Sequence, residues 1–211
     1  MHYEKKPKAI YQESFATVRS EARLDRFDPG MRELAIRAIH ACGMVEIADR
    51  IAFSPDAYLA GRAALERGAP ILCDCEAVAS SIIRRYLMWE NRVICTLNDP
   101  NVPSLATKIG NTRSAAAVEN WYEHLEGSVV AIGNAPTALF HLLELIDEGW
   151  PKPALILGFP VGFVGAAESK AELAANSRGV EFVALRGRKG GSAIAAAVTN
   201  ALAAGLPEER A

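Results

Sequence analysis

Gly158-Phe-Pro-Val-Gly-Phe-Val-Gly-Ala-Ala-Glu-Ser-Lys170 follows the apolar run Ala154-Leu-Ile-Leu157 and precedes a helix-like run from Ala166 to Asn176. The apolar run reads as a buried strand. Three glycines and a proline then turn the chain, where a side chain would obstruct a tight bend or a close ligand. A strand, a glycine loop and a helix N-terminus together form a ready anion site, because the first helical amides have no partner inside the helix. The same spacing equally suits a plain tight strand-to-helix connection. Gly158, Gly162 and Gly165 do not fit G-x-G-x-x-G, and no G-K-[ST] precedes Lys170, so a nucleotide held in a standard way is not expected.

The same grammar recurs along the chain. Strands are expected at 70–73, 92–96, 128–132, 154–157 and 180–185. Helices are expected from Ser54-Pro55-Asp56 to Gly68, from Glu76 to about Tyr86, from the Asn111-Thr112-Arg113-Ser114 cap to Leu125, from Gly133 to Gly149, and from Ala193 to Ala204. Strands alternating with helices argue for a single α/β domain over 1–211, with a mainly parallel sheet covered on both faces. Polar and glycine clusters follow the strands. Loops at the carboxyl ends of such strands are where ligands bind, and five of them suit a large ligand with several acceptor groups.

Before the first strand lie a polar lead-in at 1–13 and a short helix at 14–24 with Phe15 and Val18 facing in. Asp28-Pro29 then reads as an N-cap followed by proline at the first helical position, and the helix stops at Gly43. Its apolar stripe is Met31, Leu34, Ala35, Ala38, Ile39 and Cys42. His40 falls on the other side, in line with Glu33, Ile36 and Arg37. That side is either solvated or the wall of a cleft or subunit boundary. His2 lies in the ragged start, and His124 and His141 sit in helix patterns as structural residues.

The 211 residues carry a net charge of −2 and are 50% apolar, which gives no reason to expect a nucleic-acid partner. No apolar run approaches the roughly 20 residues of a membrane span, and the N-terminus lacks a signal-peptide pattern, so a cytoplasmic protein is expected. Cys42, Cys73, Cys75 and Cys95 lack zinc spacing and read as reduced, mostly buried thiols. Arg113, Lys170, Arg186, Arg188 and Lys189, with the helix N-termini after Gly133, Gly165 and Gly191, could hold several carboxylates. Any one of these charges alone could equally be a solvated surface group. There is no serine elbow and no H-E-x-x-H, which leaves proton transfer or rearrangement on a bound anionic molecule, with His40 as the candidate.

Seven segments, in order, closely resemble the precorrin-8X methylmutase family of corrin biosynthesis: Ala38 to Gly43, Pro70 to Glu76, Cys95 to Pro100, Thr112 to Ala117, Ile132 to Leu139, Gly158 to Lys170 and Gly187 to Ala193. The likeness runs from about Ile10 to Leu202. It implies an isomerase that moves a methyl group from C11 to C12 of precorrin-8X, or of its cobalt form, to give hydrogenobyrinate or cobyrinate. It also implies no separate cofactor, a homodimer, His40 as the catalytic residue, and substrate contacts at Ser14, Arg37 and Arg113. Lys170 and Arg188 join the expected substrate contacts from the loop reading. One departure is Ile83, where the family commonly has threonine, with Ser81 as the nearest hydroxyl. Two other readings remain: a cysteine acid/base isomerase using Cys75 or Cys95, and a carrier that holds a corrinoid unchanged.

Overall fold

The computed structural model describes residues 3–87 and 89–206. His2 lies outside them. Six strands form one sheet: β1 (Ile51–Phe53), β2 (Ile71–Cys73), β3 (Val93–Cys95), β4 (Val129–Ile132), β5 (Leu155–Gly158) and β6 (Glu181–Leu185), in the order β1-β6-β5-β4-β2-β3. All neighbours are parallel except β1, which runs antiparallel to β6. The five parallel strands match the sequence reading. β1 was not anticipated.

Alternation across the pleat divides the core in two. Ile71, Cys73, Val129, Ala131, Leu155, Leu157, Val183 and Leu185 face a cluster that includes Met31, Leu34 and Leu202. Leu72, Val130, Ile132, Ile156, Phe182 and Ala184 face a second cluster around Trp121, Leu139 and Leu142. On the first face lie α1 (Pro7–Glu21), α2 (Pro29–Cys42), α3 (Ala57–Glu66), α4 (Glu76–Ser81) and α10 (Ser192–Ala204). On the second lie α6 (Arg113–Glu119), α7 (Tyr122–Leu125), α8 (Pro136–Asp147) and α9 (Ala166–Ala175). Between β3 and α6, α5 (Val102–Ile109) was not anticipated. Its proline falls in the first turn, where proline is tolerated, although it reads in sequence as a breaker.

Several expected boundaries moved. The helix expected up to Tyr86 ends at Ser81, and a 3-10 turn covers Arg84–Tyr86. The helix expected up to Leu125 breaks into α6 and α7 around buried Trp121, whose Nε1 donates to Thr96 Oγ1 at 3.0 Å. Residues 7–13 of the expected polar lead-in are helix, because α1 begins at Pro7. The start of α2 is as expected: Asp28 accepts from Met31 N, and Gly43 ends the helix with φ 68°.

α1 packs on α2 and buries part of the side that carries His40, though His40 itself stays exposed. Ile36 is 1% exposed and Glu33 6%. Further in, α10 packs against α2, α3 and α4 and rests on β4 and β5. Its alanines let it approach closely. A Cβ at Gly133 would stand 2.8 Å from Ser192 Cα and 2.7 Å from Val78 Cγ2, so only glycine fits between β4 and the start of α10.

The strand order reverses between β2 and β4, the crevice in which such sheets commonly bind ligands. Asp74, 1% exposed, occupies it. Its carboxylate accepts from Gly133 N at 2.8 Å, Asn134 N at 2.9 Å and Ala135 N at 2.7 Å. The amides expected to meet a ligand after Gly133 are therefore already taken. Burial pushes the Asp74 pKa up, while the three amides pull it back. Each stranded buried donor costs roughly 1–3 kcal/mol, so Asp74→Ala is expected to lower stability by about 3 kcal/mol or more, with Asp74→Asn milder. Urea unfolding midpoints of the three proteins check this.

Candidate functional site

His40 sits in the last turn of α2, and α1 brings three side chains to it. Ser14 Oγ lies 2.8 Å from His40 Nδ1. The Phe15 ring meets the imidazole edge-on at 4.9 Å, and the Tyr11 ring lies at 5.7 Å. A serine hydroxyl donating to Nδ1 places the ring proton of the neutral imidazole on Nε2. When the ring is protonated, Nδ1 donates to the hydroxyl instead. Ser14 thus supports both charge states through one contact.

Arg37, one turn before His40, is held from two sides. Its Nε donates to Glu33 Oε1 at 3.3 Å, and its guanidinium stacks over Phe15 at 4.5 Å. Glu33 is buried, and its other oxygen lies 3.7 Å from Arg19 Nη2. The half-buried Arg37 is thereby fixed beside the imidazole. Partial burial lowers the His40 pKa, and the neighbouring Arg37 charge lowers it further.

Two hollows share His40. The larger, about 440 Å³, lies along α1 and the end of α2, with Ile10, Val18, Ile39 and Val45 as apolar wall and Glu4, Glu13 and Glu21 as acidic lining. The smaller, about 130 Å³, is lined by Tyr11, Arg37, Ile83, Tyr86 and Asn200 among others. Ile83, the residue expected to depart from the family pattern, thus lies on the same wall as His40 and Arg37. Its amide donates to Asn200 Oδ1 at 2.7 Å. The Ser81 hydroxyl donates to Ala77 O at 2.7 Å, within its own helix.

Of the expected site residues, the fold brings Ser14, Arg37 and His40 together and holds the other three elsewhere. Exposed Arg113 donates to Leu97 O at 3.1 Å and Asn98 Oδ1 at 3.2 Å, in the loop after β3. Exposed Arg188, after β6, places its guanidinium 5.5 Å from the Phe163 ring. Lys170 is a correction to the loop reading: it is fully buried, and its ammonium donates to Pro160 O and Lys189 O, which closes it to direct ligand contact. His141 bonds Glu119 at 2.8 Å, in keeping with a structural role.

Sequence reasoning placed Glu33 in line with His40 but missed Tyr11 as a neighbour of the site. Tyr11 lay in the supposed lead-in. Glu33 stood on a helix side whose cover could not be foreseen without α1. The thiols are chemically quiet. Burial pushes Cys75 up and Cys95 up to about 11, so neither is set up as a thiolate at neutral pH. Among the described residues, no group of three or more metal-ligating side chains is assembled, and no helix is long and apolar enough to cross a membrane.

A family model described as Precorrin-8X methylmutase matches residues 9–204. The chain belongs to this family. It is 66% identical over 195 residues to the precorrin-8X methylmutase of Pseudomonas aeruginosa, covering 92% of this chain and 94% of that protein. It is 61% identical to the precorrin-8X methylmutase of a Sinorhizobium species, covering 92% and 93%. A crystal structure of the precorrin-8X methylmutase from Thermus thermophilus superposes with a TM-score of 0.83 at 38% identity, covering 93% of this chain and 94% of that one. The chain is accordingly an enzyme of isomerase type, and the fold reading is that of its family.

Because Arg37 contributes to the lowered His40 pKa, Arg37→Gln is expected to raise it toward the ordinary value near 6.5. The remaining burial should keep it somewhat below. An NMR titration of the His40 ring protons in both proteins measures the shift.

Proposed function

We propose that this chain is a cytoplasmic precorrin-8X methylmutase, active as a homodimer, that moves the methyl group of precorrin-8X, or of its cobalt form, from C11 to C12. The observation that carries the reading is the arrangement of His40: an imidazole oriented by Ser14, flanked by Arg37, and opening on two hollows. Imidazole gives and takes protons near neutral pH. In the proposed step the C11–methyl bond breaks as the C12–methyl bond forms, with the π-bonds moving in a 1,5-shift. No atom is gained or lost.

Protonated His40 donates to a ring nitrogen of the macrocycle and takes the proton back at the end. The donation makes the π-system electron-poor and eases migration. General acid help of this kind is worth about 10²–10⁴-fold. The lowered His40 pKa works against the protonated form in the empty site, and the carboxylates of a bound tetrapyrrole would restore it. Ser14 accepts from the imidazolium at Nδ1. Arg37, preset by Glu33 and Phe15, is offered to a carboxylate arm. Arg113 and Arg188 are further contacts for arms at the carboxyl edge of the sheet.

The size of the hollows supports a second subunit at the site. Pockets for drug-sized ligands span roughly 300–1,000 Å³, and a tetrapyrrole with its acid arms belongs at or beyond the top of that range. Hollows of about 440 and 130 Å³ are small for it. The cysteine reading is disfavoured by the raised thiol pKa values. The carrier reading is separated by mixing the protein with precorrin-8X and following the visible spectrum. A stoichiometric shift with unchanged ligand on extraction would mean a carrier.

His40→Ala is expected to bind tetrapyrrole and to lose about 10²-fold or more in turnover. Arg37→Ala should weaken binding, with proton transfer still available. Wild-type turnover in His40→Ala would remove the imidazole from the mechanism.

A further inference from the structure

The buried ammonium of Lys170 joins two loops that the sheet presents side by side. It donates to Pro160 O at 2.8 Å, in the loop after β5, and to Lys189 O at 2.6 Å, in the loop after β6. The loops meet again through Gly162 N to Arg188 O at 3.2 Å and Gly191 N to Phe159 O at 2.8 Å. They press so closely that a Cβ at Gly190 would stand 2.3 Å from Phe159 O. From the second loop, the Lys189 ammonium reaches Glu46 Oε1 at 2.5 Å, in the 3-10 turn Val45–Arg50 that follows α2. A chain of polar contacts therefore runs from the loop after β5 to the segment just beyond His40.

We infer that Lys170 is a positioning residue for the methyl transfer, stapling the loops after β5 and β6 so that Arg188 and the Phe163 tip meet the substrate in one fixed arrangement. The inference rests on the methylmutase reading above and assigns Lys170 no contact with the substrate. Burying an ammonium with no carboxylate is costly, and a methionine of similar length would fill the space without that cost. What the lysine supplies is two charge-assisted bonds that join carbonyls of the two loops. Burial alone lowers its pKa to about 8, which leaves most of it charged at neutral pH. The staple sits beneath an exposed tip: Phe163 is 84% and Val164 89% exposed. A tip of that kind gains a defined place only from what holds its base.

Lys170→Met fills the same volume and removes both bonds, while Lys170→Arg keeps the charge. Two measurements decide the matter: steady-state kinetics with precorrin-8X, and hydrogen exchange of peptides covering 158–165 and 186–191 in the protein without substrate. For Lys170→Met, KM should rise about ten-fold with kcat within about three-fold, the pattern of lost ground-state binding. Both loop peptides should exchange faster while the β4 peptide does not, and Lys170→Arg should recover part of each effect. Wild-type KM and wild-type loop exchange in Lys170→Met would overturn the inference. So would a raised KM with unchanged loop exchange, or a large fall in kcat at constant KM. If Lys170→Met fails to fold, Lys170→Gln is read by the same two measurements against the same outcomes. Failure of the wild type to convert precorrin-8X would sink the methylmutase reading alone, because loop exchange still tests the staple.

Discussion

One carboxylate, Asp74, ties the end of β2 to the loop after β4 where the strand order reverses. β2 turns toward β3 on one side, and β4 opens the run toward β6 on the other. The crevice between them would be an anion site, with amides presented at the head of α8. The protein fills that site with its own side chain, satisfying three buried donors at once. This choice has a functional cost and a structural return. The usual ligand crevice of a doubly wound sheet is closed. In exchange, the base of α8 and the start of α10 are fixed against β2 and β4, and α10 becomes the platform on which α2 rests.

His40 lies away from that crevice, on a helix that touches the sheet mainly through another helix. α2 carries His40, α10 supports α2 from beneath, and α1 closes over it from outside. Such layering buries Glu33 and Ile36 and leaves His40, at the end of the same helix side, exposed. The aromatic edges of Phe15 and Tyr11 and the Ser14 hydroxyl are all delivered by one helix, so the site depends on how α1 docks.

Much of this was legible in the residues. The parallel strands, the Asp28 cap and the Gly43 stop were read from local chemistry that tertiary structure left intact. His40 and its neighbour Arg37 stood out in the helix pattern, Ser14 came from the family resemblance, and the fold brings all three together. Several things were hidden, for physical reasons. β1 is an edge strand that draws its register from β6. α1 has a polar sequence through its first turns, so its helix signal was weak. The occupancy of the Gly133 amides and the burial of Lys170 depend on residues some sixty and twenty positions away, which no local pattern encodes.

The thiols described above have a practical bearing. All four cysteines are held above their ordinary ionisation range, chiefly by desolvation. They should be sluggish toward peroxide and maleimide alike. A cysteine introduced at an exposed position such as Val164 would then outcompete the native ones for a fluorophore, so the natural sequence already provides a clean background for site-specific labelling.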